Sequence, residues 1–348
     1  STRRRVYRRR AAAFPSVRLR RAMARCLTLR TYILRRFAIS VPILLGLTVI
    51  TFIFAELMPG DYVDSLIPPD VAARFTTEQL QAIREAYGLN KPAHERYLLW
   101  LRELAHGNLG FSLLTGAPVT GEIAKRLPAT MQLTVTSLLF GILVGAALGI
   151  IAAVKQYSWL DQVLTVLGFF WISTPGFVFA IGAIYLFALK IPLFPISGII
   201  SYGQEPTLLM RLKHMVLPAT VLGLGSVAGF MRYTRGSMLD VIRQDYISVA
   251  RAKGLTERAI LLRHALRNAL IPVITIIGLN IPYLIGGTVI IESIFAWPGM
   301  GTFSLGSINA RDYPAIMGIN FVVALVVLLS NLLVDITYAV VDPRIRYD

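Results

Sequence analysis

Long apolar runs divide this sequence, and they restrict its fold more than any other feature. Six runs have about the length, roughly 20 residues, that a helix needs to cross a bilayer. They cover residues 38–58, 130–154, 162–189, 215–231, 269–291 and 313–334. The last five contain no Asp, Glu, Lys or Arg, and the first contains only Glu56 near its end. Because lipid offers backbone groups no hydrogen-bond partners, the runs are predicted to be six transmembrane helices.

Composition supports an all-α membrane protein. Only 16% of the 348 residues are charged, against about 25% in a typical soluble domain. Prolines in the runs predict kinks, which membrane helices tolerate; they are Pro175, Pro218, Pro272 and Pro282. Small residues in "GILVGAALGIIAA" predict close helix packing.

Lys and Arg are unevenly distributed between the connecting segments. With a cytoplasmic N-terminus, the cytoplasmic segments hold 24 of the 35 Lys and Arg, mostly in residues 1–37 and 232–268. Cytoplasmic loops carry such an excess, so both termini are predicted to be cytoplasmic. The basic extension 1–37 is interpreted as a topology signal that also contacts anionic lipid. Nucleic-acid binding by its Arg cluster is the less favoured alternative.

Residues 59–129 are polar and predict a small extracytoplasmic cap between the first two spans. In it, "TTEQLQAIREAYGL" opens with a capping-box pattern at Thr76 or Thr77. "PAHERYLLWLRELAHGNLG" predicts a second helix, with Pro92 near its start and Gly107 after its end.

Two further outer loops have distinct patterns. Residues 190–214 are too rich in proline for a regular helix and predict a re-entrant or interfacial segment. In residues 292–312, Phe295 and Trp297 suit an interfacial aromatic belt. The residues Pro298, Gly299 and Gly301 predict a tight turn there.

No pattern in the chain indicates catalysis. It contains no P-loop and no G-x-S-x-G motif, its four His residues are scattered, and Cys26 is its only cysteine. We therefore expect no catalytic residues and no metal site. Ion-driven carriers usually place ionisable groups inside their spans. Because these spans almost lack them, the energy for any transport is expected to arrive from outside the bilayer.

Residues 232–268 form the only long polar loop predicted on the cytoplasmic side between spans. Within it, "DYISVARAKGLTERAILLRHALRNALIP" mixes apolar residues with Arg and Lys, and Gly254 separates two stretches of helical pattern. One interpretation is an amphipathic helix lying on lipid headgroups. The other is a docking element for a cytoplasmic partner.

This stretch resembles the cytoplasmic loop of permeases of binding-protein-dependent ABC importers, specifically the first permease of the peptide/opine/nickel group. Further stretches resemble the same group in the same order: "HGNLGFSLLTGAPVTGEIAKRLPATMQLTV", "ESIFAWPGMG", "ARDYPAIMGI" and "NLLVDITYAVVDPRIRY". The resemblance covers nearly the whole chain from about residue 32.

The resemblance implies a type I importer permease fold in a bacterial or archaeal cytoplasmic membrane. Its implied regions are the extension 1–37, the first helix 38–58, the cap 59–129, a core of five helices at 130–340 that includes loop 232–268, and a cytoplasmic tail 341–348. The implied partners are a homologous second permease, two ATP-binding subunits in the cytoplasm and an extracytoplasmic solute-binding protein. ATP and Mg²⁺ would bind the partner subunits, and no cofactor would bind this chain.

The resemblance also assigns a coupling helix to residues Tyr246 to Leu262, seated in a cleft of an ATPase subunit, with Gly254 matching the family glycine. The implied coupling residues are Asp245, Tyr246, Ala250, Arg251, Lys253, Gly254 and Arg258. Two departures from the wider importer pattern favour the peptide-type branch. Ser248, Val249 and Ala250 replace Glu-Ala-Ala, and Leu266-Arg267 replaces Leu-Pro.

Polar residues inside the predicted spans are candidates for the transport pathway: Thr134, Ser173, Thr174, Asn280 and Thr288. For polar residues in membrane helices, a hydrogen bond that packs one helix on another is the commoner role. The implied function is import of di- or oligopeptides, with nickel, opines, glutathione or oligosaccharides as alternative cargo. Two other classes remain at this stage: a self-contained channel or ion-coupled carrier, and a membrane scaffold or nucleic-acid tether.

Overall fold

The computed structural model describes residues 14–57, 63, 67, 69–86, 88–201, 203, 205, 207–270, 277 and 288–341. Every regular element in these ranges is helical. Those of eight or more residues are α1 (Phe14–Leu57), α2 (Thr77–Ala86), α3 (Ala93–Ala105), α4 (Val119–Val154), α5 (Trp159–Ser173), α6 (Gly176–Ile184), α7 (Leu208–Ile242), α8 (Asp245–Ala252), α9 (Met300–Asn309) and α10 (Tyr313–Val341). A π-helical turn, Tyr185–Lys190, extends α6.

Helices α4 and α7 form the central pair, and glycines let them approach closely. A Cβ atom on Gly145 would lie 2.6 Å from Cβ of Phe230, and one on Gly149 would lie 2.6 Å from the carbonyl oxygen of Met231. Residues four apart share one face of a helix, so the two glycines together with Gly141 form a flat strip on α4. The predicted packing role of the small residues is confirmed.

Among the described residues, four helices are long and apolar enough to cross a membrane: α1 from Leu34, α4, α7, and α10 to Ile336. The predicted third span, residues 162–189, is wrong as a single helix. It is broken into α5 and the α6 segment, which are bent by 100° to each other. Pro175 lies at the break, and Thr174 before it is extended (φ −94°, ψ 126°), as a residue before proline prefers to be. Helix α7, by contrast, continues through Pro218.

Several helix ends differ from the apolar boundaries. Helix α1 begins at Phe14, so residues 14–37 are continuous with the first span. Helix α4 begins at Val119, inside the predicted cap, and α7 extends from Leu208 to Ile242, beyond both predicted ends. Most of the predicted span 269–291, with Pro272 and Pro282, lies outside the described residues, as does the predicted tail after Val341.

The two helices predicted within residues 59–129 are confirmed as α2 and α3. The Thr76 hydroxyl accepts a hydrogen bond from the Gln79 amide (3.3 Å), and the Gln79 side chain accepts one from the Thr76 amide (2.9 Å), which completes a capping box. Gly107 follows α3 with a left-handed φ of 78°. Helix α3 contacts α1 through an ion pair between Arg96 and Glu56. We call this end of the bundle the cap end and the opposite end, which carries α8, the loop end.

The residues 292–298 fold into the bundle at the cap end. Phe295 and Trp297 are buried in the core, so their predicted place in an interfacial belt is wrong. The Trp297 indole donates to the carbonyl oxygen of Ala129 on α4 (3.0 Å), which satisfies its N–H inside the protein. The chain turns tightly at Pro298, as predicted, since the Gly299 amide donates to the carbonyl oxygen of Trp297 (2.8 Å), but Gly301 lies within α9.

The proline-rich segment after α6 packs on this turn. The Gly198 amide donates to the carbonyl oxygen of Phe295 (2.8 Å). His214 near the start of α7 is buried, and its ring contacts the Ser201 hydroxyl and the carbonyl oxygens of Ser197 and Gly198 at 3.0 to 3.1 Å. The segment is thereby fixed to the cap end of the bundle.

Candidate functional site

The polar loop at the loop end begins at Arg243, since α7 extends to Ile242. The coupling helix implied for Tyr246 to Leu262 is not one helix. Helix α8 ends at Ala252, and a second helical segment begins at Glu257 and continues as a π-helical turn, Ile260–Ala265. The chain therefore presents a short helix and a tight turn at the surface.

Gly254 ends α8 in a Schellman motif. Its φ is 79°, its amide donates to the carbonyl oxygen of Arg251 (2.9 Å), and the Leu255 amide donates to that of Ala250 (3.4 Å). No atom lies within 4 Å of where a Cβ atom would be. The left-handed backbone conformation, rather than lack of space, therefore favours glycine.

An ion pair and a cap stabilise the turn. The Arg251 guanidinium contacts the Glu257 carboxylate at 2.7 and 3.3 Å, across the turn at Gly254. Its hydrogen bond and charge hold the pKa of Glu257 below the usual value, so the pair is ionised at neutral pH. The Thr256 hydroxyl accepts from the Ala259 amide (3.4 Å) and caps the second segment.

The inner side of α8 is anchored in the bundle. Ile247 is completely buried and Ala250 nearly so, and both belong to a cluster with Met238 of α7 and Ala153 of α4. Ile260, Ala265 and Ala269 complete this cluster. The apolar side of the amphipathic pattern therefore packs on protein.

The outer side of α8 and of its turn is exposed and mixes apolar with charged groups. Tyr246 is 44% exposed and Val249 52% exposed. The exposed implied coupling residues are Asp245, Tyr246, Arg251, Lys253, Gly254 and Arg258. The structure brings these six residues together on one accessible surface, whereas Ala250 faces the bundle. We call the surface formed by Asp245, Tyr246, Val249, Arg251, Lys253, Leu255 and Arg258 the docking face.

A buried ion pair beside this loop was not predicted. Arg235 of α7 donates to both carboxylate oxygens of Asp161, from Nε and Nη2, at 2.8 Å each. The Tyr157 amide also donates to Asp161 (3.0 Å). The pair joins α7, which carries α8, to the first turn of α5. In the sequence, the only indication of this ion pair was that Asp161 is the one acidic residue in the short segment 155–161.

The predicted pathway residues that the structure describes have different surroundings. Thr134 is buried in α4, while Ser173 and Thr174 lie at the break between α5 and α6. Thr174 lines a largely apolar cavity of about 480 Å³. Thr288 is buried and lines another, of about 260 Å³, near Thr130. Asn280 lies outside the described residues.

A buried polar cluster around Glu292 at the cap end was also not predicted from the sequence. The buried Glu292 carboxylate accepts from the Thr130 hydroxyl (2.6 Å) and from the amides of Gly301 and Thr302 (2.7 and 3.2 Å). The Thr130 hydroxyl accepts in turn from the Met300 amide (2.7 Å). The carboxylate thus caps α9 and ties it to α4.

Comparison with known families matches nearly the whole chain. The family described as binding-protein-dependent transport system inner membrane component matches residues 145–347. The N-terminal family of such membrane components matches residues 29–134.

Curated relatives match over most of their length. The oligopeptide transport system permease protein AppB of Bacillus subtilis is 41% identical, over 91% of this chain and 99% of that protein. The dipeptide transport system permease protein DppB of Escherichia coli is 37% identical, over 91% and 98%. The glutathione transport system permease protein GsiC of Salmonella choleraesuis is 35% identical, over 91% and 99%.

Solved structures support the fold. An inward-facing structure of the MetNI methionine ABC transporter aligns with a TM-score of 0.50 at 16% identity, covering 63% of this chain and 96% of that one. At this identity the likeness concerns architecture alone.

Proposed function

Because the chain belongs to the family of binding-protein-dependent transport system inner membrane components, we propose that it is the permease subunit of an importer that carries di- or oligopeptides across the cytoplasmic membrane. The names of the oligopeptide and dipeptide permeases among its relatives support peptides as cargo. ATP is hydrolysed on separate subunits, which also bind its Mg²⁺.

The observation that carries this proposal is the two-sided construction of α8. Its inner residues Ile247 and Ala250 are packed on the bundle, while Tyr246 and Val249 on the docking face are exposed. A helix lying on lipid would instead turn its most apolar side outward. We propose that the docking face sits on an ATPase subunit, with Asp245, Tyr246, Arg251, Lys253 and Arg258 in contact. In this assembly, Gly254 shapes the turn and Ala250 holds the helix to the bundle.

Force applied to α8 would reach the bundle along contacts that the structure contains. Ile247 of α8 packs in the same buried cluster as Met238 of α7. Met238 lies about one helical turn beyond Arg235. Arg235 is tied to Asp161 of α5, and α7 is in backbone contact with α4 at Gly145 and Gly149. A closely packed interior transmits displacement with little compression. Closure of two ATPase subunits on ATP would therefore move α4, α5 and α7 together.

The proposed membrane topology has six spans with both termini in the cytoplasm. Four spanning helices and one bent pair support five crossings, and the uncharged run at 269–291 supplies the sixth. The concentration of Lys and Arg in residues 1–37 and 232–268 supports the orientation. The cap end then faces outward and receives cargo from a solute-binding protein. A second permease, either a homologue or a copy of this chain, completes the pathway.

The proposal is tested by reconstituting the chain with its second permease, ATPase subunits and binding protein in liposomes. We expect ATP-dependent uptake of a labelled dipeptide or pentapeptide that requires every component. ATP-dependent uptake of nickel, an opine, glutathione or an oligosaccharide, without uptake of peptide, would reassign the cargo. Peptide flux through the chain alone, without ATP, would instead support a channel or an ion-coupled carrier.

A further inference from the structure

A groove of about 430 Å³ lies at the cap end, where α1, α3 and α10 meet. Phe52 and Glu56 of α1, Arg96 and Trp100 of α3, and Tyr313 and Met317 of α10 line it. None of these residues belongs to the docking face or to the helix breaks described above. The groove therefore calls for a separate explanation.

Two N–H groups in this groove have no acceptor. The Nε atom of Arg96 and the indole Nε1 atom of Trp100 are buried, and neither has a hydrogen-bond partner in the part of the chain that the structure describes. Buried donors are nearly always satisfied, because an unpaired one costs about 1–3 kcal/mol. An oxygen atom of a bound molecule would satisfy both.

The position of the groove indicates where that molecule comes from. Glu56 lies at the end of the α1 span, and Tyr313 begins the α10 span. Phe52 and Met317 lie about one helical turn further into the spans. Phe111, which also lines the groove, is an apolar side chain that is 60% exposed. The groove therefore begins at the level of the headgroups and ends in the hydrocarbon region.

The charges in the groove suit a zwitterion. Arg96 is paired with Glu56, and Glu103, which also lines the groove, accepts a hydrogen bond from Asn108 (2.9 Å). Two carboxylates accompany one guanidinium, so a purely anionic headgroup would meet excess negative charge. A phosphate group linked to an ammonium group suits both signs.

We propose that this groove binds one zwitterionic phospholipid with a primary ammonium headgroup, such as phosphatidylethanolamine. Its phosphate oxygens accept from Arg96 Nε and Trp100 Nε1, its ammonium group faces Glu103, and an acyl chain lies along Phe52 and Met317. The lipid would fasten α1, whose surface is largely exposed, to α3 and α10.

The test uses the purified chain with the subunits that accompany it, stripped of lipid in mild detergent. Native mass spectrometry is recorded during titration with dioleoyl phosphatidylethanolamine or dioleoyl phosphatidylglycerol. We expect one molecule of the former to bind, at least about tenfold more tightly than the latter. Trp100→Phe removes one donor and should weaken binding about tenfold, and Ala55→Leu should weaken it by filling the groove. Trp159→Phe, a matched change on an exposed tryptophan at the loop end, should leave it unchanged.

Equal binding of the two lipids, or full retention of phosphatidylethanolamine by both groove variants, would overturn the proposal. Displacement of the lipid by a dipeptide would also overturn it and assign the groove to cargo. If Trp100→Phe does not assemble, the comparison of the two lipids on the unmodified chain and the Ala55→Leu variant decide the matter.

Discussion

Arg235 donates two hydrogen bonds of 2.8 Å each to Asp161, and these two residues, 74 positions apart in the sequence, join α7 to α5. Asp161 is buried, while the Arg235 side chain is partly exposed. Met238, about one turn further along α7, packs under α8, so the pair connects the helix that carries the docking face to α5, which ends at the break before Pro175.

Asp161→Asn should destabilise the chain and weaken coupling. The substitution removes the charge that Arg235 pairs with, at a cost of about 1.5–3 kcal/mol in the free energy of unfolding. Thermal unfolding in detergent measures the loss. Combined with Arg235→Gln, the double variant should lose less than the sum of the single variants. Strict additivity would show that the pair contributes nothing. Glu257→Gln, in an exposed pair at the same end, serves as control and should leave the melting temperature unchanged.

Gly145→Ala should disrupt the central helix pair. The new Cβ atom would lie 2.6 Å from Phe230 Cβ and 2.7 Å from the carbonyl oxygen of Val227, so α4 and α7 must separate. Overpacking of this kind costs about 1–3 kcal/mol. Gly229→Ala on α7, where no atom lies within 4 Å, should be neutral or slightly stabilising. Equal melting temperatures for the two variants would contradict the close contact.

Gly254→Val should uncouple ATP hydrolysis from transport while leaving the chain in the membrane. A φ of 79° costs an L-residue about 1–2 kcal/mol, and β-branched residues suffer most. The turn would rearrange and displace the docking face. Gly254→Asn, which tolerates this conformation, should keep most activity. Peptide uptake and substrate-stimulated ATPase are measured on the reconstituted complex. Gly236→Ala is the control, and normal values for the Val variant would contradict the assigned role of Gly254.

Thr130→Val should destabilise the buried polar cluster around Glu292 at the cap end. It removes the hydroxyl that donates to Glu292 and accepts from the Met300 amide, which leaves the Met300 amide without this acceptor and one oxygen of the buried Glu292 carboxylate without its donor. The expected cost is about 1–3 kcal/mol in the free energy of unfolding. Thr220→Val is the matched control, because the Thr220 hydroxyl donates within its own helix to Val216. A similarly small loss of unfolding free energy in both variants would argue that the polar cluster around Glu292 does not stabilise the fold.

Local patterns were sufficient for the features that depend on neighbouring residues. The capping box at Thr76 and the left-handed Gly254 follow from chemistry within a few positions. Hydropathy located four spanning helices and one bent pair among the described residues, but it placed the helix ends poorly. Helix α4 begins further out, at Val119, and Glu122 in its first turn pairs with both Lys125 and Arg126, so charged residues that hydropathy excludes from a span are accommodated in the helix.

Features that depend on distant residues could not be predicted. Trp297 resembles an interfacial residue until Ala129, 168 positions earlier, supplies an acceptor inside the protein. Asp161 resembles an ordinary loop acid until Arg235 is placed beside it. Likewise, Pro175 predicts a kink, but the bend angle of 100° depends on how α5 and α6 pack on α7.

The central claim is that the docking face contacts an ATPase subunit, and cysteine cross-linking tests it most directly. With Cys26, the only native cysteine, changed to Ser, the variants Val249→Cys and Leu98→Cys are treated in the assembled complex with a short cysteine-to-lysine cross-linker. Both positions are exposed, at opposite ends of the bundle. We predict that Val249→Cys links to an ATPase subunit with a yield that changes on adding ATP, and that Leu98→Cys does not. Absence of that product from Val249→Cys, or an equal yield from Leu98→Cys, would contradict the account.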